Sequence, residues 1–190
     1  MNNPQTLTSA LKEWAIAVEA LAVGKTIILL RKGGIREDSR NFQIKHQKVW
    51  LYPTYEHQKP HLLKPEYADK VTVVDSGWHP ETVTIRSYAN ITQVSLVNRL
   101  ETLKALEPYH VWNEQMLRDR LKWKARQPLS ILFLRVYNLS QPLSIPYDTS
   151  YGGCKSWIDL VEPISLRELK PVLDDSSYQS QVEKILSHIN

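Results

Sequence analysis

The chain has 190 residues, 42% of them apolar and 23% charged, which suffices for a buried core in one domain or two small subdomains. A single cysteine, Cys154, excludes an internal disulfide and a cysteine-rich zinc site and fits a reducing cytosol; no apolar run approaches the roughly eighteen residues of a membrane span, and no signal peptide is expected. The net charge of +4 is mild for a nucleic-acid binder, but residues 25–48 carry seven basic and two acidic side chains, residues 118–135 six and one, and the stretch from Ser156 onward three and six.

Asn3-Pro4 reads as a helix start, and Leu7, Leu11, Trp14, Val18 and Leu21 recur at helical spacing up to Gly24. Thr26 to Leu30 predicts a short buried strand, followed by a turn at Gly33-Gly34. Phe42 to Ile44 and Lys48 to Tyr52 predict strands, the second stopped by Pro53. Pro60 and Pro65 flank a loop or one-turn helix, and Val71 to Val74 is a further strand candidate. Thr82 to Tyr88 alternates strictly, as a half-buried strand does. Ser95 caps a predicted helix through Leu96, Leu100, Leu103 and Leu106, and Asn113 caps another running to about Ala125.

Leu129 to Tyr137 predicts the longest strand, and Trp157 to Val161 the last. Ser165-Leu166-Arg167-Glu168 has the form of a capping box, with Pro171 keeping that helix short. Tyr178, Val182, Ile185 and Ile189 predict a terminal amphipathic helix over 177–189. The expected fold is α+β, with mixed or antiparallel sheet and packed helices. It divides at 1–92 and 93–190, or forms one continuous domain.

Polar clusters mark the candidate sites. Tyr52-Pro53-Thr54-Tyr55-Glu56-His57-Gln58 is denser in hydrogen-bonding groups than a strand or helix needs. Glu56 and His57 suit general acid–base chemistry, carboxylate and imidazole being side chains that commonly transfer protons. The alternative is that Glu56 and Gln58 satisfy backbone groups at a buried corner. His57 and His61 are four apart, but Pro60 between them opposes a helical metal site.

Arg31-Lys32-Gly33-Gly34 places two cations before backbone N–H groups that an anion can approach closely. It has neither Walker nor dinucleotide-fingerprint spacing. In Gly153-Cys154-Lys155-Ser156-Trp157, Lys155 and Ser156 suit phosphate contact, and Cys154 beside Lys155 is either a nucleophile or a small packing residue. Arg118, Lys122 and Arg126 share one stripe of a predicted helix, Arg120 and Lys124 another, with Trp112 and Trp123 interleaved. No Glu-x-Lys or Asp-x-Lys lies on a predicted strand, which speaks against a two-carboxylate nuclease core.

Ala10-Leu11-Lys12-Glu13-Trp14-Ala15, Leu29 to Ile35, Tyr52 to Gln58, Leu134-Arg135-Val136-Tyr137 and Gly153 to Trp157 together resemble the blocks of domain-of-unknown-function family 1802, a prokaryotic, largely cyanobacterial group. The resemblance spans about residues 7 to 170. It implies an association with restriction systems and supplies no catalytic residues. The resulting expectation is a cytoplasmic binder of nucleic acid or a phosphate anion, an accessory of a restriction or defence system. An enzyme using Glu56, His57 and Cys154, and a protein-interaction module, are the alternatives. Arg31, Lys32, Gly33, Gly34, Lys155 and Ser156 would hold the anion. Tyr52, Tyr55, Gln58, Arg135, Tyr137 and Trp157 would shape the cleft, and Arg118, Lys122 and Arg126 would form an outer patch. No metal, cofactor or membrane partner is expected.

Overall fold

The computed structural model describes residues 5–32 and 43–189. The expected turn at Gly33-Gly34, residue Phe42 and the Asn3-Pro4 start lie outside them. Among the described residues the fold is α+β, a mixed seven-stranded sheet with five α-helices. The strands are β1 (Thr6–Trp14), β2 (Ile28–Arg31), β3 (Lys48–Thr54), β4 (Thr82–Val97), β5 (Leu129–Pro146), β6 (Trp157–Ser165) and β7 (Leu169–Pro171). The helices are α1 (Ala15–Ala22), α2 (Pro65–Ala68), α3 (Leu100–Ala105), α4 (Glu114–Lys122) and α5 (Asp175–Ile189). The strand order is β2-β5-β4-β3-β1-β6, with β7 beside β5. Among the described strands only β1 and β3 run parallel.

The first expected helix is corrected. Residues 6–14 form a strand between β3 and β6, and the helix begins only at Ala15. Leu11 joins Val49 and Leu51 in one core, while Ala10 joins Trp50 and Tyr52 in a second. A strand covered on both faces shows no alternation, so Leu7, Leu11 and Trp14 imitate helical spacing. α1 has no side-chain cap of its own. Buried Gln58 supplies one from 42 positions away, its Oε1 accepting the Ile16 N–H at 3.0 Å. Gln58→Ala leaves that N–H buried without an acceptor. The expected cost is about 1–3 kcal/mol, read as a lower urea midpoint at unchanged slope.

Other boundaries shift for identifiable reasons. β3 runs through Pro53 because its pairing with β4 covers only Lys48 to Trp50, leaving no ladder bond there for proline to break. Ser95 does not cap a helix: β4 continues to Val97, and α3 starts at Leu100. Ser165 pairs with Thr6 instead of opening a helix, and Glu168 adopts φ 56° in the turn to β7. Residues 71–74 form no strand, and Gln43 and Ile44 lie outside any.

The position between 92 and 93 falls inside β4, whose register with β5 shifts between Ile85 and Ser87 and again between Ile91 and Gln93. Such bulges bend long strands and let one hairpin serve both cores. Asn113 caps α4 as expected, accepting the Met116 N–H at 3.2 Å. No helix among the described residues is long and apolar enough to cross a membrane.

Candidate nucleic-acid interface

β1 ends in Lys12-Glu13-Trp14, and these three side chains organise the region. Register places Lys12 beside Tyr52. The Lys12 ammonium donates to the Tyr151 and Gly153 carbonyls at 2.5 and 2.9 Å. It thereby staples the turn before Cys154 to β1, one strand in from the β6 edge of the sheet. Burial lowers its pKa, opposed by nearby Cys154 and Glu56. The Tyr52 ring meets Tyr151 edge-on at 5.5 Å, and Tyr147 meets Tyr151 at 6.2 Å. Burial raises the Tyr52 pKa, and the neighbouring phenols add to the shift, so its hydroxyl stays protonated at neutral pH.

Glu13 is buried and bonds the Arg31 guanidinium at 2.8 Å. Its other oxygen accepts the Trp14 N–H at 2.8 Å. Arg120 approaches from α4. Burial lowers its pKa, Glu13 opposes that shift, and Arg31 adds to it. Lys32 is buried, its ammonium donating to the Arg120 and Leu121 carbonyls at 2.6 and 3.3 Å, where it serves the C-terminal end of α4.

A cavity of about 360 Å³ opens beside this ion cluster. It is lined by Trp14, His57, Lys59 and Leu62 on one side and Met116, Asp119, Arg120 and Trp123 on the other. The α4 set falls at i, i+3, i+4 and i+7, one helical face. The Lys124 ammonium lies 4.8 Å from the Trp123 ring centre and the Arg120 guanidinium 6.0 Å. His57 and Lys124 have φ of 65° and 48°, the left-handed region that side chains other than glycine rarely adopt. His57 lines the cavity, and Lys124 directly follows its Trp123; such strain is common at binding sites.

The Glu56 carboxylate accepts the Gly77 N–H at 2.6 Å and the Ser76 hydroxyl at 3.2 Å, and lies 3.2 Å from His57 Nε2. The Gly77 bond is the main cause of its lowered pKa, with His57, Ser76 and Lys12 contributing. It is therefore a carboxylate at neutral pH that ties a distant loop to the corner after β3.

The structure brings part of the expected cleft together. Lys12 lies between the Glu56 corner and the Cys154-Lys155 turn, close enough to feel both. Cys154 is exposed, and Lys155 donates to the Ser150 carbonyl at 3.2 Å. The Ser156 carbonyl accepts the Lys12 N–H at 2.9 Å, and Trp157 meets His46 edge-on at 6.0 Å.

Arg31 and Lys32 do not line the cavity: Arg31 pairs with Glu13, and Lys32 bonds the end of α4. Gln58 turns inward to cap α1. Arg135 is buried elsewhere: it donates to the Leu173 carbonyl at 2.5 Å and Asp175 at 2.6 Å, and stands over the Tyr178 and Tyr137 rings. There it fastens α5 to the sheet. On α4, Arg118 pairs with Glu114 and Lys122 is exposed outside the cavity lining; the helix ends at Lys122 and not near Ala125, so Arg126 is exposed in the turn beyond it and shares no stripe.

Sequence reasoning missed Lys12 and Trp14, absorbed into a supposed helix. It also missed Lys59, Met116 and Asp119. Taking the α4 stripe through Met116 would have selected Arg120 and Trp123 over Arg118 and Lys122.

No curated protein matches the sequence. Three crystal structures of ASCH from Zymomonas mobilis show structural similarity. One covers 92% of this chain and 93% of its own at 15% identity and a TM-score of 0.45. Two mutants of that protein match at 14% and 13% identity, both with TM-scores of 0.44. They cover 95% and 92% of this chain, and 98% and 96% of theirs. Residues 10–184 match the family model described as Domain of unknown function (DUF1802), and the chain belongs to that family.

Proposed function

We propose that this protein binds single-stranded nucleic acid, with one base in the cavity between β1 and α4. The observation that carries the reading is the lining of that cavity: Trp14 and Trp123 together with Lys59 and Arg120. Indole rings stack on any base, and cations beside them neutralise phosphate. The volume of about 360 Å³ lies near the lower end of ligand-site sizes and suits one small planar group. Duplex bases are already stacked and hidden, so a single strand is the natural ligand. An accessory of a restriction or defence system is one setting for such a grip.

Fluorescence anisotropy with labelled single-stranded DNA and RNA at low ionic strength tests this. Affinity is expected to fall steeply as salt rises. Trp123→Ala removes a stacking face worth about 1–3 kcal/mol, and Lys59→Ala lowers the salt slope by about one. No binding of either nucleic acid at low salt overturns the proposal.

One observation favours a second reading. Glu56 and His57 touch, and His57 lines the cavity. A carboxylate orienting an imidazole is an acid–base arrangement, with exposed Cys154 on the neighbouring turn as a candidate nucleophile. Turnover of bound nucleotide or nucleic acid that survives His57→Ala and Glu56→Gln unchanged would exclude that chemistry.

A further inference from the structure

We infer that the strand continues from the cavity onto a second stacking platform, the exposed indole of Trp78; this rests on the proposed single-strand reading. Trp78 is 45% exposed. It sits in a short turn, its N–H bonded to the Asp75 carbonyl at 3.1 Å. That turn is held at the corner by the Glu56 bonds to Ser76 and Gly77. The Tyr55 ring braces the indole edge-on, at 6.0 Å and 87°. On the far side, His79 stacks flat on Tyr147 at 3.5 Å and 8°, fixing the loop against β5 and the following turn.

At 45% exposure the braced indole keeps ring surface open to solvent. A base covers such a surface at little entropic cost, because the platform is already ordered. One carboxylate links the two places. Glu56 touches His57, which lines the cavity, and Gly77, which precedes Trp78. The same side chain thus contacts a residue of the cavity lining and the turn that carries the platform. Lys59 on the cavity side and Lys155 beside the Lys12 turn are exposed cations within this region, able to meet the phosphates between. The ligand class is therefore a single strand of at least two nucleotides.

The test compares a nucleoside monophosphate with a single-stranded hexanucleotide, by titration against the whole chain and its variants. The hexanucleotide is expected to bind more tightly. Trp78→Ala is expected to weaken it about tenfold while leaving the monophosphate unchanged, and Trp78→Phe to retain most of the affinity. Melting curves confirm that the variants fold, and the phenylalanine variant provides the reading if alanine does not. If Trp78→Ala binds the hexanucleotide like wild type while Trp123→Ala weakens it, the platform is wrong and the cavity reading stands. If wild type binds neither ligand, both are overturned.

Discussion

Glu13→Ala is expected to destabilise the protein by about 3 kcal/mol, near the lower end of what breaking a buried ion pair costs. The carboxylate is 7% exposed and its partner Arg31 16%, so little water screens them. It also faces Arg120, whose charge it favours while Arg31 opposes it. Removing it takes the carboxylate that Arg31 bonds and that favours the Arg120 charge, and takes the acceptor from the Trp14 N–H. For a chain of this size the loss corresponds to a fall in melting temperature of roughly 6–12 °C. Glu13→Gln keeps the volume and an acceptor oxygen and is expected to fall between. Scanning calorimetry checks the series; an alanine variant melting within about a degree of wild type would show that the cluster is solvated and the account wrong.

The second large effect is on pH dependence. His110 is 2% exposed, and its ring nitrogens make no well-aligned hydrogen bond among the described residues; the nearby Leu103 and Trp112 backbone only partly opposes the effect of burial. Burial, with the nearby Lys64 ammonium, lowers its pKa from 6.5 to about 4. The unfolded chain therefore takes up a proton below pH 6.5 that the folded chain refuses. Stability is fully present above 6.5 and falls as pH drops toward 4. Between pH 7 and pH 5 the expected loss is about 2 kcal/mol, from the roughly 1.4 kcal/mol carried by each pH unit. Glu56 and Glu114, both held below 4.5, withdraw their contributions only further down. Urea titrations at pH 7 and pH 5 measure this, with His110→Leu expected to flatten the slope. An equal slope in both proteins would place the acid sensitivity elsewhere.

How much the sequence foretold depends on how each element is covered. β4 begins with the alternation of Thr82 to Tyr88, because one face there is more open; Thr82 and Thr84 are exposed while Val83 and Ile85 are buried. α5 was legible from Tyr178, Val182 and Ile185, which face one core across a single stripe. β1 was not, because neighbours on both sides and cores on both faces erase any period. Tertiary context also overrode the helix preference of its Ala, Leu, Lys and Glu. The family was legible from blocks that hold cavity lining and scaffold alike: Trp14 lines the cavity, Glu13 pairs with Arg31 beside it, and Gln58 caps a helix. The corner after β3 announced itself by polar density. Its partner loop, Gly77-Trp78-His79-Pro80, carried an equally readable signal, an aromatic pair inside a Gly-Pro turn, but had nothing adjacent in sequence to point to Glu56.

The placing of β1 also governs when the molecule can form. Its one flank needs β3, and its other needs β6, so Ser9 waits for Asp159 and Leu11 for Trp157. During synthesis the first strand therefore leaves the ribosome long before its second neighbour exists. Its open edge stays available for wrong pairings throughout that interval. Closing a loop of such length makes the last step of assembly slow relative to the local β4–β5 hairpin. Lys12, whose ammonium holds the Tyr151 and Gly153 carbonyls just before β6, takes its final surroundings only at that step, whereas Glu13 and Trp14 find theirs earlier, beside β3.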